Sequence, residues 1–89
     1  MKRQVIYRIY TEEKNKKTIV DLVGEQFESF TLQPTVGYYR GQPEKSIVIE
    51  LVGAKAPTIK ALADRIRKMN GQESVLILRI EGSSEMHRQ

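Results

Sequence analysis

Two hydrophobic rhythms alternate along this chain, and their order leaves very few folds open to it. Val5-Ile6-Tyr7-Arg8-Ile9-Tyr10 is rich in β-branched and aromatic residues and reads as a first strand. A charged connection, Thr11 to Lys17, follows, and Thr18 can cap a helix. Its apolar positions Ile19, Leu22, Val23, Phe27 and Phe30 recur at helical spacing, with Gly24 as a weak point inside it. Thr31 to Tyr39 reads as a second strand, which Pro34 marks as irregular or at a sheet edge. Arg40-Gly41-Gln42-Pro43 is turn chemistry, and Ser46 to Val52 alternates cleanly as a third strand. After a loop from Gly53 to Ala56, Pro57 suits the first turn of a second helix carrying Ile59, Leu62, Ile66 and Met69. Asn70-Gly71 ends that helix as a left-handed cap would, and Val75 to Ile80 reads as a fourth strand. Gly82 to Gln89 is polar and is expected to fray.

The order βαββαβ predicts an α+β, ferredoxin-like arrangement: a four-stranded antiparallel sheet with two helices on one face. The expectation is a single domain over 1–89, with 83–89 a flexible tail. A chain of 89 residues buries only about 60–65% of its unfolded surface, so its core is marginal. It has no cysteine to reinforce that core, and its one histidine, His87, lies in the polar tail. Disulfides, thiolate metal sites, histidine metal sites and catalytic triads are all disfavoured, which leaves self-association as the source of added stability. No apolar run approaches the roughly 18–20 residues that span a bilayer, and the first residues lead straight into a strand pattern, so the chain reads as soluble and cytoplasmic. A net charge of +4 permits anion binding without arguing for it.

Strand alternation sorts the side chains between the two faces of the sheet. Val5, Tyr7, Ile9, Ile47, Ile49, Leu51, Leu76, Leu78 and Ile80 are expected under the helices. The open face then carries Ile6, Arg8, Tyr10, Ser46, Val48, Glu50, Val75, Ile77 and Arg79, joined by Thr35 and Tyr39 if Pro34 leaves the parity intact. An apolar patch of this kind predicts a subunit interface. Glu50 within it reads either as a structural ion pair with Arg8 or Arg79, or as a carboxylate marking a ligand site. Gly37 marks either a bulge or a close approach of backbone to ligand. The lysines and arginines of the helices, such as Lys14, Arg65 and Lys68, read as solvated faces.

RNA-recognition motifs share this element order, but they place aromatics where this third strand has Ser46, Val48 and Glu50, and a central carboxylate repels phosphate. Nucleic acid and membrane are therefore not expected partners. An effector-binding trimer like the nitrogen-regulatory PII proteins fits the fold, although the turn at Arg40 to Pro43 is short where that family has a long effector loop.

Val36-Gly37-Tyr38-Tyr39-Arg40, then Glu44-Lys45-Ser46 opening an alternating strand, then Asn70-Gly71-Gln72-Glu73-Ser74-Val75-Leu76-Ile77 resemble, in order, segments of the small S-adenosylmethionine lyases of bacteriophages, formerly called hydrolases. The likeness covers about two-thirds of the chain. It implies a PII-like trimer with sites between subunits, found in the host cytoplasm if phage-encoded, that splits S-adenosylmethionine into methylthioadenosine and homoserine lactone and so acts against restriction. It implies no cofactor and no metal. A tyrosine and a glutamate are the side chains that matter; they map to Tyr39 and to Glu50, or to Glu44 if the Glu-Lys-Ser start carries the carboxylate, with Glu50 preferred. Glu44, Arg8, Arg79 and Gly37 are the expected substrate-binding residues. The alternative is a PII-like regulatory trimer that binds a small molecule or nucleotide without catalysis. With a turn centred on Gly41 and Gln42, Tyr39 would lie opposite Glu44, and Glu50 about six residues further, roughly 20 Å away at ~3.3 Å per residue. Tyr39 and Glu50 could then meet only across a subunit boundary.

Overall fold

A computed structural model describes residues 2–87. The elements run β1 (Lys2–Glu12), α1 (Lys16–Gln26), β2 (Thr31–Tyr39), β3 (Gln42–Val52), α2 (Ala56–Asn70) and β4 (Leu76–Ser84). The four strands form one antiparallel sheet in the order β2-β3-β1-β4. This is the ferredoxin-like βαββαβ fold. β2 lies at an edge, which suits Pro34, since an edge strand loses nothing where proline lacks an N–H.

Tyr7, Ile9, Ile47, Ile49 and Leu51 project from one face of the sheet and pack with Ile19, Leu22 and Val23 of α1 and Ile59, Leu62, Ala63 and Ile66 of α2. Both helices therefore cover the same face. Ile9, Ile49, Ile59 and Leu62 are fully buried. Ile49→Ala removes a buried branched side chain from the centre of this small core, at a cost of about 3 kcal/mol. The melting temperature should fall by roughly 12–24 °C for a domain of this size, as thermal circular dichroism would show.

α1 starts two residues before the expected Thr18 and ends at Gln26, short of Phe27 and Phe30. Phe27 is extended, and both phenylalanines pack against the core from outside the helix. The residue before α1, Asn15, sits in the left-handed region at φ 54° and makes no side-chain cap. Its amide instead donates to Asn70 Oδ1 at 3.0 Å. Asn70, 7% exposed, donates in turn to Thr11 Oγ1 and to Gln72 Oε1, and the Thr11 hydroxyl also donates to Gln72 Oε1. This cluster joins the end of β1, the start of α1 and the end of α2. Gly71 closes α2 at φ 65°, its N–H meeting Lys68 O while Gln72 N–H meets Arg67 O. That is the left-handed cap read from Asn70-Gly71.

Two expected boundaries shift. The turn between β2 and β3 is Arg40-Gly41 alone, both at positive φ (50° and 77°), as two-residue hairpins of matching twist require. Gln42 and Pro43 already belong to β3. The expected fraying is corrected at Gly82 to Ser84 alone, which pair with Gln4 to Lys2 and complete β4. Arg88 and Gln89 lie outside the described residues.

Candidate functional site

Directly paired residues of antiparallel strands share a face, so the register lays out the uncovered side of the sheet row by row. One row crosses all four strands: Thr31, Glu50, Arg8 and Leu78. The next is Gln33, Val48, Tyr10 and Leu76, and the one after is Thr35, Ser46 and Glu12. On the other side of the Arg8 row lie Val52, Ile6 and Ile80. The open face thus divides lengthwise. Towards β2 it is polar, with Thr31, Gln33 and Thr35, towards β4 it is apolar, with Leu76, Leu78 and Ile80 beside Ile6, and β3 and β1 mix both kinds, with Arg8 and Glu50 paired along the seam.

This layout corrects the fourth strand. Leu76, Leu78 and Ile80 belong to the open face, not beneath the helices, while Val75 and Ile77 pack against the core. Arg79 also changes sides. It pairs with Tyr7, a core residue, and lies on the helix-covered side, where it donates to Glu81 at 3.3 Å. The Tyr7 hydroxyl, and then Glu81, raise its pKa above the ordinary arginine value. Arg79 is therefore separated from Glu50 by the thickness of the sheet, and the expected pairing with Glu50 falls to Arg8 alone.

Arg8 Nε donates to Glu50 Oε2 at 2.8 Å, with the two side chains 39% and 33% exposed. The Glu50 hydrogen bond raises the Arg8 pKa above its ordinary value, with partial desolvation opposing and the nearby Tyr10 hydroxyl adding to the rise. The pair borders a hollow of about 230 Å³ lined also by Tyr10, Thr31, Gln33, Thr35 and Val48. Thr35 and Ser46 hydroxyls close one end with a 2.7 Å hydrogen bond. Ligand pockets usually enclose about 300–1,000 Å³, so this hollow has the size of part of a site.

The other expected site residues lie along the hairpin. Gly37 faces Glu44 across β2 and β3, and both border a second, smaller hollow with Ser46 and Tyr10. The register runs unbroken through Gly37, so there is no bulge, and a Cβ built there meets nothing within 4 Å. Tyr39 lies opposite Gln42 and not opposite Glu44, because the turn is one residue pair tighter than expected. Glu50 is eight residues beyond Gln42 on the same strand. At ~3.3 Å per residue this is about 26 Å, further than the sequence expectation. The structure brings Arg8 and Glu50 together and keeps Tyr39 remote from both within one chain. Tyr39 is 61% exposed, and the Arg40 guanidinium lies 5.2 Å from its ring centre.

Thr31 and Gln33 were missed as site residues. Stepping back by two from Tyr39 and Thr35 along β2 reaches both, so the signal was present in the same parity. Among the described residues no three His, Asp or Glu side chains gather as a metal ion would need. No helix is long and apolar enough to cross a membrane.

No family model and no curated protein matches the chain. Solved structures do. A DUF3240 family protein from Shewanella baltica OS155 superposes over 100% of this chain and 99% of its own, at 16% identity and a TM-score of 0.67. CPII, a nitrogen regulatory PII-like protein from Thiomonas intermedia K12 bound to ADP, AMP and bicarbonate, matches at 15% identity and a TM-score of 0.62, covering 94% of this chain and 97% of that one. A phage SAM lyase in complex with S-methyl-5'-thioadenosine matches at 18% identity and a TM-score of 0.56, covering 96% and 93%. These likenesses establish a PII-like, ferredoxin-like fold.

Proposed function

We propose that this chain assembles with copies of itself through the apolar half of its open face, and that the assembly takes up S-adenosylmethionine and cleaves it to methylthioadenosine and homoserine lactone. The observation that carries the reading is the Glu50 carboxylate, set with Arg8 in a hollow that has the size of part of a site, beside an uncovered apolar surface. Support comes from the resemblance along the sequence, and from two structural neighbours whose ligands share an adenosine group. A trimer is the assembly that the resemblance implies.

The chemistry asks little of the protein. The sulfonium is a good leaving group, and the substrate's own carboxylate attacks the γ-carbon. A C–O bond forms as the C–S bond breaks, the sulfur keeps the electron pair as a neutral thioether, and the lactone carries away the α-ammonium. The protein must hold a folded conformer with the carboxylate aimed at carbon, and orientation can supply much of such a barrier. Glu50 pairs with the α-ammonium and aims the carboxylate. Tyr39 comes from a neighbouring copy, given the distance within one chain, and Glu44 and Gly37 border the path between. Tight pairing of the sulfonium would oppose catalysis, because that charge fades in the transition state.

The test is to incubate the purified protein with S-adenosylmethionine without added metal and to follow products by chromatography and mass spectrometry. Both products should appear in equal amounts. Unchanged substrate would sink the lyase. A second reading, a PII-like protein that binds a nucleotide without catalysis, is favoured by one observation: Glu50 is already engaged by Arg8 of its own chain. Under that reading the same sample binds ADP or ATP and leaves S-adenosylmethionine intact.

A further inference from the structure

Arg8 and Glu50 touch at a single point. Nε donates to Oε2, and among the described residues Glu50 Oε1 takes no side-chain hydrogen bond. An arginine and a carboxylate more often meet through two parallel bonds. Here the terminal nitrogens of Arg8 are left free of Glu50, and both charged groups border the same hollow.

We infer that this pair is a receptor for the zwitterionic head of an α-amino-acid ligand, a terminal nitrogen of Arg8 taking one oxygen of the α-carboxylate, which leaves the other oxygen free to attack carbon, and Glu50 Oε1 taking the α-ammonium. The inference rests on the reading above for where the ligand sits, and it narrows what the ligand's head group must be. The pair is neutral as a whole, so neither half-exposed charge stands unpaired before a ligand arrives. A zwitterion laid against it head to tail gains two opposite-charge contacts. A ligand bearing only a carboxylate meets Glu50 as a like charge, and one bearing only an ammonium meets Arg8 in the same way. The site therefore selects against singly charged analogues by repulsion as well as by lost attraction. Thr31, beside Glu50 in its row, and Gln33 offer hydrogen bonds at the rim, while Val48 and the Tyr10 ring line the hollow for an apolar side chain.

The experiment compares S-adenosylhomocysteine, which has the amino-acid head but no sulfonium to cleave, with methylthioadenosine, which lacks the head. By calorimetry on the full chain, the first should bind at least about tenfold tighter, the scale of one charge-assisted hydrogen bond. Arg8→Gln and Glu50→Gln each remove one of the two charge contacts and should each narrow the difference between the two affinities by at least about fivefold, with methylthioadenosine binding unchanged. Equal affinities in the unmodified protein would overturn the inference. A second measurement does not need the nucleoside. The Nε–H signal of Arg8 in a proton–nitrogen NMR correlation should move with L-methionine and stay in place with its decarboxylated amine or its deaminated acid. Equal shifts from those single-charge analogues would also overturn it. If neither nucleoside binds while L-methionine alone moves the signal, the adenosine reading fails and the zwitterion receptor stands.

Discussion

Glu50→Gln should lower S-adenosylmethionine cleavage by at least about a hundredfold, near 2.7 kcal/mol of barrier, while fold and assembly persist. Glutamine has the same shape and can still accept the Arg8 Nε hydrogen bond through its carbonyl oxygen. It cannot supply the negative charge that orients the substrate α-ammonium under the proposed mechanism. A carboxylate acting through orientation is lost in kcat more than in binding, so single-turnover rates are the discriminating measurement. Should the assembly dissociate instead, with any residual monomer inert, the ion pair would be a structural element of the interface and not part of the site.

Leu76→Glu should convert the assembled protein to monomer at micromolar concentration, with self-association at least about a hundredfold weaker. Leu76 is 60% exposed in the single chain and lies in the row of Tyr10 and Val48. An exposed position of this kind tolerates a charge within about 0.5 kcal/mol of monomer stability. In a symmetric assembly the same charge is buried once per copy without a partner, and an unpaired buried charge costs several kcal/mol. Size-exclusion chromatography with light scattering reads the mass directly, and thermal melting of the monomer checks that the fold survives. An unchanged mass would show that copies associate through another surface, and the apolar half of the open face would need a different partner.

Residues with only one physical role were the most legible. In β3 the alternation of Ser46, Val48 and Glu50 with Ile47, Ile49 and Leu51 reflects one face under helices and one uncovered, and the parity followed from it. Gly71 was readable because the left-handed backbone at a helix end favours glycine. β4 was misread because Val75 to Leu78 is apolar at every position: one set packs under the helices and the other belongs to the apolar open face. A strand apolar on both sides carries no parity signal. Arg79 reads as an open-face residue for the same reason, yet it lies on the helix-covered side and stays exposed there beside Glu81. The turn was placed too late because Gln42-Pro43 looks like turn chemistry, whereas the backbone turns at Arg40-Gly41, where both φ values are positive. The Thr11, Asn15, Asn70 and Gln72 cluster was invisible, because hydrogen bonds between residues this distant in sequence leave no local pattern.

That cluster also bears on how the molecule is put together in time. Its bonds join residues 55, 59 and 61 positions apart, and closing such long loops is entropically slow work that local helix and hairpin contacts do not share. The β2–β3 hairpin needs only neighbouring residues to pair, whereas Asn70 and Gln72 can meet Thr11 and Asn15 only when the second half of the chain has docked on the first. The cluster is thus a clasp that closes only once both halves of the chain are in place, as does the β1–β4 ladder beside it.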